Sequence, residues 1–93
     1  MNSVFLQIEH LLHISKPNDA INLIDRCIDQ CNTLQLSYAY YLRGNAYWQL
    51  GNRRKAICDY NMSIELDPNS PAKTALRNAN DILNFFNHDL YNP

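Results

Sequence analysis

The feature that most restricts this chain's fold is a spacing of large and small residues. Between Ser37 and Ser70, the large Tyr40, Tyr47 and Tyr60 are interleaved with the small Gly44 and Ala56. The apolar positions around them recur at helical rather than strand intervals. Gly51-Asn52 divides the stretch and Asp67-Pro68 ends it. Glycine terminates a helix readily, and proline disfavours the α conformation of the residue before it. Two helices joined by so short a connection must lie antiparallel. Gly44 and Ala56 let the axes approach, and the tyrosines fill the space between them, where aromatic burial supplies much of the core energy.

The same punctuation divides the whole chain into five helical segments. The first runs from Asn2 to Ile14, with Val4, Phe5, Ile8, Leu11 and Leu12 at helical spacing. Ser15-Lys16-Pro17-Asn18 breaks it, and Pro17 suits the first turn of the next segment, Pro17 to Cys31. That segment carries Ala20, Ile21, Ile24, Cys27 and Ile28 on one face. After a linker at Asn32–Leu36, the third spans Ser37–Leu50 and the fourth Arg53–Leu66. Ser70-Pro71 then opens a fifth that reaches Tyr91. The expected fold is all-α: stacked antiparallel helical hairpins plus one long terminal helix.

Composition removes several classes of function. The 93 residues make one domain, 46% of them are apolar, and the formal charge is −1. No field exists to draw in nucleic acid or an anionic membrane. Three cysteines, Cys27, Cys31 and Cys58, form no disulfide framework and fit reduced thiols. The N-terminal stretch lacks a basic region, and Glu9 and His10 interrupt its apolar run, so it does not read as a signal peptide. No stretch reaches the roughly 18–20 apolar residues of a membrane span. The expected location is cytoplasmic.

Counted from Ser37, Tyr40, Gly44, Tyr47, Ala56, Tyr60 and Pro68 stand at positions 4, 8, 11, 20, 24 and 32. These are the positions of the 34-residue tetratricopeptide repeat pattern, which residues 37–70 resemble closely. Ser63, at position 27, is small where the family usually has Ala. Arg43, at position 7, departs from the pattern's Leu. The resemblance implies a right-handed stack of about two repeat units, a role in binding proteins, and no enzymatic activity or cofactor. The whole chain also resembles small stand-alone bacterial proteins of this family that end in an Asp-Ile-Leu-Asn-Phe-type helix, here Asp81 to Phe85.

A divergent first repeat over residues 1–36 is expected. Ala20 aligns with Ala56, Ile24 with Tyr60 and Cys27 with Ser63, at an offset of 36 rather than 34. The alternative is an amphipathic hairpin with no repeat ancestry. Residues 71–93 read as a capping helix. The repeat frame puts the polar Thr74, Asn78 and Asp81 at its packing positions, whereas its apolar stripe is Ala72, Ala75, Leu76, Ala79, Ile82, Leu83, Phe86 and Leu90. That stripe is rotated by about one residue, on the order of 100°. Repeat arrays need such a helix to cover an exposed end.

In the family, the first helix of each repeat lines a concave groove. The resemblance places Tyr38, Tyr41, Asn45, Trp48 and Gln49 there, with Asn2, Phe5, Glu9, Leu12 and His13 from the first repeat. A helix needs one buried face, so a second aromatic face on the same helix points to a surface for a peptide or partner helix. Two other readings stay open. The fifth helix covers the aromatic face, or a homodimer does, with Phe85, Phe86, Leu90 and Tyr91 as the self-association segment. Glu9 would repel the carboxylate that chaperone-binding members of the family clamp.

Other constellations are weaker. His10, His13, Cys27 and Cys31 are zinc-ligand types, but hairpin geometry offsets the two pairs along the axis by roughly two turns, so no metal site is expected. Arg53-Arg54-Lys55 opens a helix, where the dipole disfavours cations; it reads as a solvated cluster or a contact for acidic groups. Asp25, Asp29 and Asp59 are expected to face solvent. No phosphate loop or nucleophile motif occurs.

Overall fold

The computed structural model describes residues 1–91, and side-chain surroundings as far as Asp81. Five α-helices follow one another: α1 (Asn2–His13), α2 (Pro17–Cys27), α3 (Thr33–Gln49), α4 (Arg53–Leu66) and α5 (Ala72–Tyr91). The second segment ends earlier than its periodicity predicts. Its last turn tightens to a 3-10 helix at Ile28–Gln30, and Cys31 is extended.

Three of the connections follow from local chemistry. Ser15 adopts φ 58°, the left-handed conformation that usually selects glycine, and Lys16 N–H returns to the Leu11 carbonyl at 2.8 Å. Gly51, at φ 80°, makes the same exit from α3, with Asn52 N–H on the Tyr47 carbonyl at 2.9 Å. At the start of α5, Ala72 N–H donates to the Ser70 hydroxyl at 3.0 Å.

α3 begins four residues before the expected Ser37. Asn32 accepts from Gln35 N–H at 2.9 Å, and Gln35 accepts from Asn32 N–H at 3.0 Å. This reciprocal capping box satisfies two otherwise orphaned donors and starts the helix at Thr33. The extra turn carries Leu34, which is 66% exposed.

Each helix packs on the next in sequence, most extensively α3 on α4, and α1 also touches α3. The core has two parts. One gathers Phe5, Ile8, Leu12, Ala20, Ile24, Cys27, Ala39, Leu42 and Ala46 from α1, α2 and α3. The other gathers Ala56, Tyr60 and Ala72, with Tyr47, Trp48, Ile64, Ala75 and Leu76 around them. Tyr41 packs against both. A Cβ on Gly44 would stand 2.6 Å from Tyr60 Cε1, so the small-residue position is what brings α3 and α4 together. Tyr60 is the buried one of the three repeat tyrosines. Tyr40 and Tyr47 are only half-buried, each with a cation of this chain over its ring: Arg43 at 5.2 Å and Lys55 at 5.3 Å.

Asp59 corrects the solvent-facing expectation: it is 6% exposed. Arg43 reaches it across the α3–α4 interface, Nε to Oδ2 at 2.8 Å, and extends Nη1 to Asp25 of α2 at 3.1 Å. Asp25 and Asp29 are exposed. On α5, Ala72 and Ala79 are buried and Ala75 and Leu76 half-buried, whereas Thr74, Asn78 and Asp81 are exposed. The rotated apolar stripe is therefore the packing face as far as Asp81. The self-association segment Phe85, Phe86, Leu90 and Tyr91 lies outside the residues whose side chains are described.

Candidate functional groove

α1 and α3 lie side by side and present a groove between them. Glu9, Leu12, His13, Tyr38, Tyr41, Leu42, Asn45 and Gln49 line one stretch, about 360 Å³ in volume. Glu9 and Tyr38 also belong to a second stretch of about 530 Å³ toward the N-terminal end of α1, completed by Asn2, Phe5, Leu6, Leu34 and Gln35. The two share the Glu9–Tyr38 pair. One stretch is mixed in polarity and the other is mainly apolar.

The helical period explains the α3 side. Tyr38, Tyr41, Asn45 and Gln49 are three or four residues apart and share one face. Ser37, Ala39, Leu42 and Ala46 are buried beneath them. Of the sequence-predicted groove residues, Glu9, Tyr38, Tyr41, Asn45 and Gln49 are brought together in the first stretch, with Leu12 and His13. Phe5 lies in the second, 8% exposed at its floor.

Trp48 is placed elsewhere. It lines a separate cavity of about 170 Å³ with Tyr60, Ala75, Asn78 and Ala79, between α3, α4 and α5. The Arg53 guanidinium sits 5.0 Å from the centre of its ring. The basic run that opens α4 thus supplies aromatic partners at two of its three positions, Arg53 on Trp48 and Lys55 on Tyr47.

Hydrogen bonds hold the groove in shape. The Tyr38 hydroxyl donates to Glu9 Oε1. Burial, reinforced by that carboxylate, pushes the Tyr38 hydroxyl well above the ordinary tyrosine range, so it stays a proton donor. Tyr60 O–H donates to Asn45 Oδ1 at 2.7 Å, and Gln49 Nε2 donates to the Leu12 carbonyl at 2.9 Å. The last bond ties the C-terminal end of α1 to that of α3. Asn45 and Gln49 therefore brace the groove as well as line it. The Phe5, Tyr38, Tyr41 and Tyr60 rings form a continuous file, with successive centroids 5.2, 5.7 and 6.4 Å apart.

Leu6 and Leu34 are groove residues that the repeat frame missed. Both are exposed, at 65% and 66%, on the rim of the apolar stretch. Leu34 lies before position 1 of the frame, and the capping box at Asn32 was its sequence signal.

The cysteines stay apart from this surface. Cys27 is buried and donates to the Ile24 carbonyl, and Cys31 donates to the Cys27 carbonyl, each at 3.4 Å. Burial, then the neighbouring Cys27, pushes the Cys31 thiol up, away from thiolate chemistry. Among the described residues, no three His, Cys, Asp or Glu side chains converge as metal ligands. Nor, among those residues, is any helix long and apolar enough to cross a membrane.

A family model described as the tetratricopeptide repeat matches residues 37–70. The chain is similar to the Bacteroides fragilis protein BF1650, whose structure was determined by solution NMR. The two share 37% identity and a TM-score of 0.85, over 99% of this chain and 91% of that one. No curated protein matches the chain.

Proposed function

From the premise that this chain belongs to the tetratricopeptide repeat family, we propose that it binds a peptide or partner helix in the groove between α1 and α3. Repeats of this family generally mediate protein–protein interactions and are typically non-enzymatic. The observation that carries this proposal is the convergence of Glu9, Tyr38, Tyr41, Asn45 and Gln49, from two separate helices, on one surface. A surface built only to close the core has no need of aromatic rings on its outer side. The exposed Leu6 and Leu34 extend it with apolar area that is available to a ligand.

The test is an NMR titration of the 15N-labelled chain with peptides selected from a random dodecapeptide display library. Amide shifts concentrated at residues 5–13 and 34–49 support the groove. Shifts centred on the outer faces of α2 and α4 overturn it. L6S and L34S change exposed side chains, so the fold should survive, and weakened binding in both supports the apolar stretch as part of the site.

A further inference from the structure

We propose that the groove recognises a basic partner segment: a Lys or Arg side chain seated at Glu9 against the Tyr38 and Tyr41 rings, beside an apolar side chain resting on Leu6 and Leu34. This inference rests on the groove reading above and adds the chemistry of the ligand.

Four observations carry it. First, among the described residues that line either stretch, Glu9 alone is formally charged at neutral pH. Second, Tyr38 occupies only Oε1 of that carboxylate. A carboxylate accepts at both oxygens, so Oε2 keeps capacity for a further donor. Third, α3 carries five aromatic side chains, and the cations of this chain are distributed unevenly over them. Arg43, Arg53 and Lys55 lie over Tyr40, Trp48 and Tyr47. Among the described residues no cation lies over Tyr38 or Tyr41, the two rings that face the groove. Fourth, the exposed Leu6 and Leu34 flank the end where Glu9 and Tyr38 sit.

A ring face carries the negative end of the aromatic quadrupole, and a carboxylate beside two such faces forms a site for a cation. Charge complementarity then selects the partner: Glu9 attracts Lys or Arg and repels Asp, Glu or a terminal carboxylate. A second copy of this chain is a different occupant, and the experiment distinguishes it.

The full chain, its E9Q variant and an E65Q control, which removes an exposed charge on α4, are each panned against a random dodecapeptide display library. The carboxamide that E9Q introduces can still accept from the Tyr38 hydroxyl, and a urea unfolding curve checks that the variant folds. The wild-type chain and E65Q are expected to enrich peptides with Lys or Arg next to an apolar residue. E9Q should lose the preference for the basic residue while still enriching apolar sequences. In titrations of the wild-type chain, replacing the selected peptide's basic residue by Met should weaken binding about tenfold, and the same replacement should change little in E9Q.

Enrichment of neutral or acidic peptides by the wild-type chain, or the same basic motif from E9Q, overturns the cation site and leaves the groove reading standing. If no peptide is enriched by any form, the groove reading fails with it. A solution mass measurement showing a dimer, with the interface mapped by NMR onto Leu6, Leu34 and Tyr38, assigns the surface to a second copy and also overturns the proposal.

Discussion

Arg43 and Asp59 form a two-pronged ion pair across the α3–α4 interface, with Nε on Oδ2 at 2.8 Å and Nη2 on Oδ1 at 3.1 Å. The Asp59 bonds outweigh the cost of burial and hold the guanidinium above its ordinary range. Arg43 is the position where the chain departs from the repeat pattern's Leu, so R43L restores the pattern and strands a buried carboxylate. The expected cost is about 3 kcal/mol in urea unfolding, with much of it recovered in R43L/D59L, because an apolar pair needs no ionic partner. A single variant as stable as wild type would show that Asp59 finds water on its own.

Gly44→Ala tests the closest approach of the two repeat helices. The new Cβ would meet Tyr60 Cε1 at 2.6 Å, Tyr60 Cδ1 at 2.7 Å and the Ala56 carbonyl oxygen at 3.2 Å. The Tyr60 ring is 3% exposed and anchored through its hydroxyl to Asn45, so it has little room to swing away. Alanine's helix propensity offsets about 1 kcal/mol of the strain. A net loss of about 1–2 kcal/mol is expected, read as a lower denaturation midpoint at unchanged m-value.

Ser63→Ala also restores a family preference and is also expected to destabilise. Ser63 Oγ donates to the Ser37 carbonyl at 2.6 Å and lies 2.6 Å from Ser70 Oγ. Ser70 in turn caps α5, so this fully buried hydroxyl links α3, α4 and the entry to α5. Its removal should cost about 1–2 kcal/mol, because its partners stay buried without it. The measurement is thermal unfolding, and a neutral result would mean that another donor replaces it.

Alkaline unfolding should report Tyr60. Burial, then the nearby Tyr41, pushes its hydroxyl from the ordinary 10.0 up to about 12. Between those values the unfolded chain has released the proton and the folded chain keeps it, so folding is favoured less as pH rises. The contribution is whole below pH 10 and falls by about 1.4 kcal/mol per pH unit toward pH 12. Y60F removes that part of the slope. At pH 7 it costs only about 1 kcal/mol, for the lost Asn45 bond. Identical slopes for the two proteins between pH 10 and 12 would rule out Tyr60 as the titrating group.

The helices were largely legible in the sequence because their limits are local. Pro17, Gly51 and Pro68 restrict the backbone wherever they stand. The aromatic face of Tyr38 and Tyr41 was legible for the same reason, since residues three or four apart share a side of any helix. The start of α3 was not read from the sequence: Asn32 and Gln35, the capping pair that sets it, lie outside the repeat frame, in a stretch expected to be a linker. Phe5 and Glu9, from α1, were legible only through the family resemblance.

What the sequence alone determined is thus the helical units, the stripe on each and the repeat they compose. Tertiary structure decided which partners those stripes meet. It turned Trp48 toward α5, buried Asp59 against Arg43, left Tyr40 and Tyr47 half-exposed, and set Glu9 beside Tyr38 from 29 residues away. Periodicity and capping act within about one helical turn, whereas the rotation of each helix about its axis is chosen by the packing of all its neighbours together.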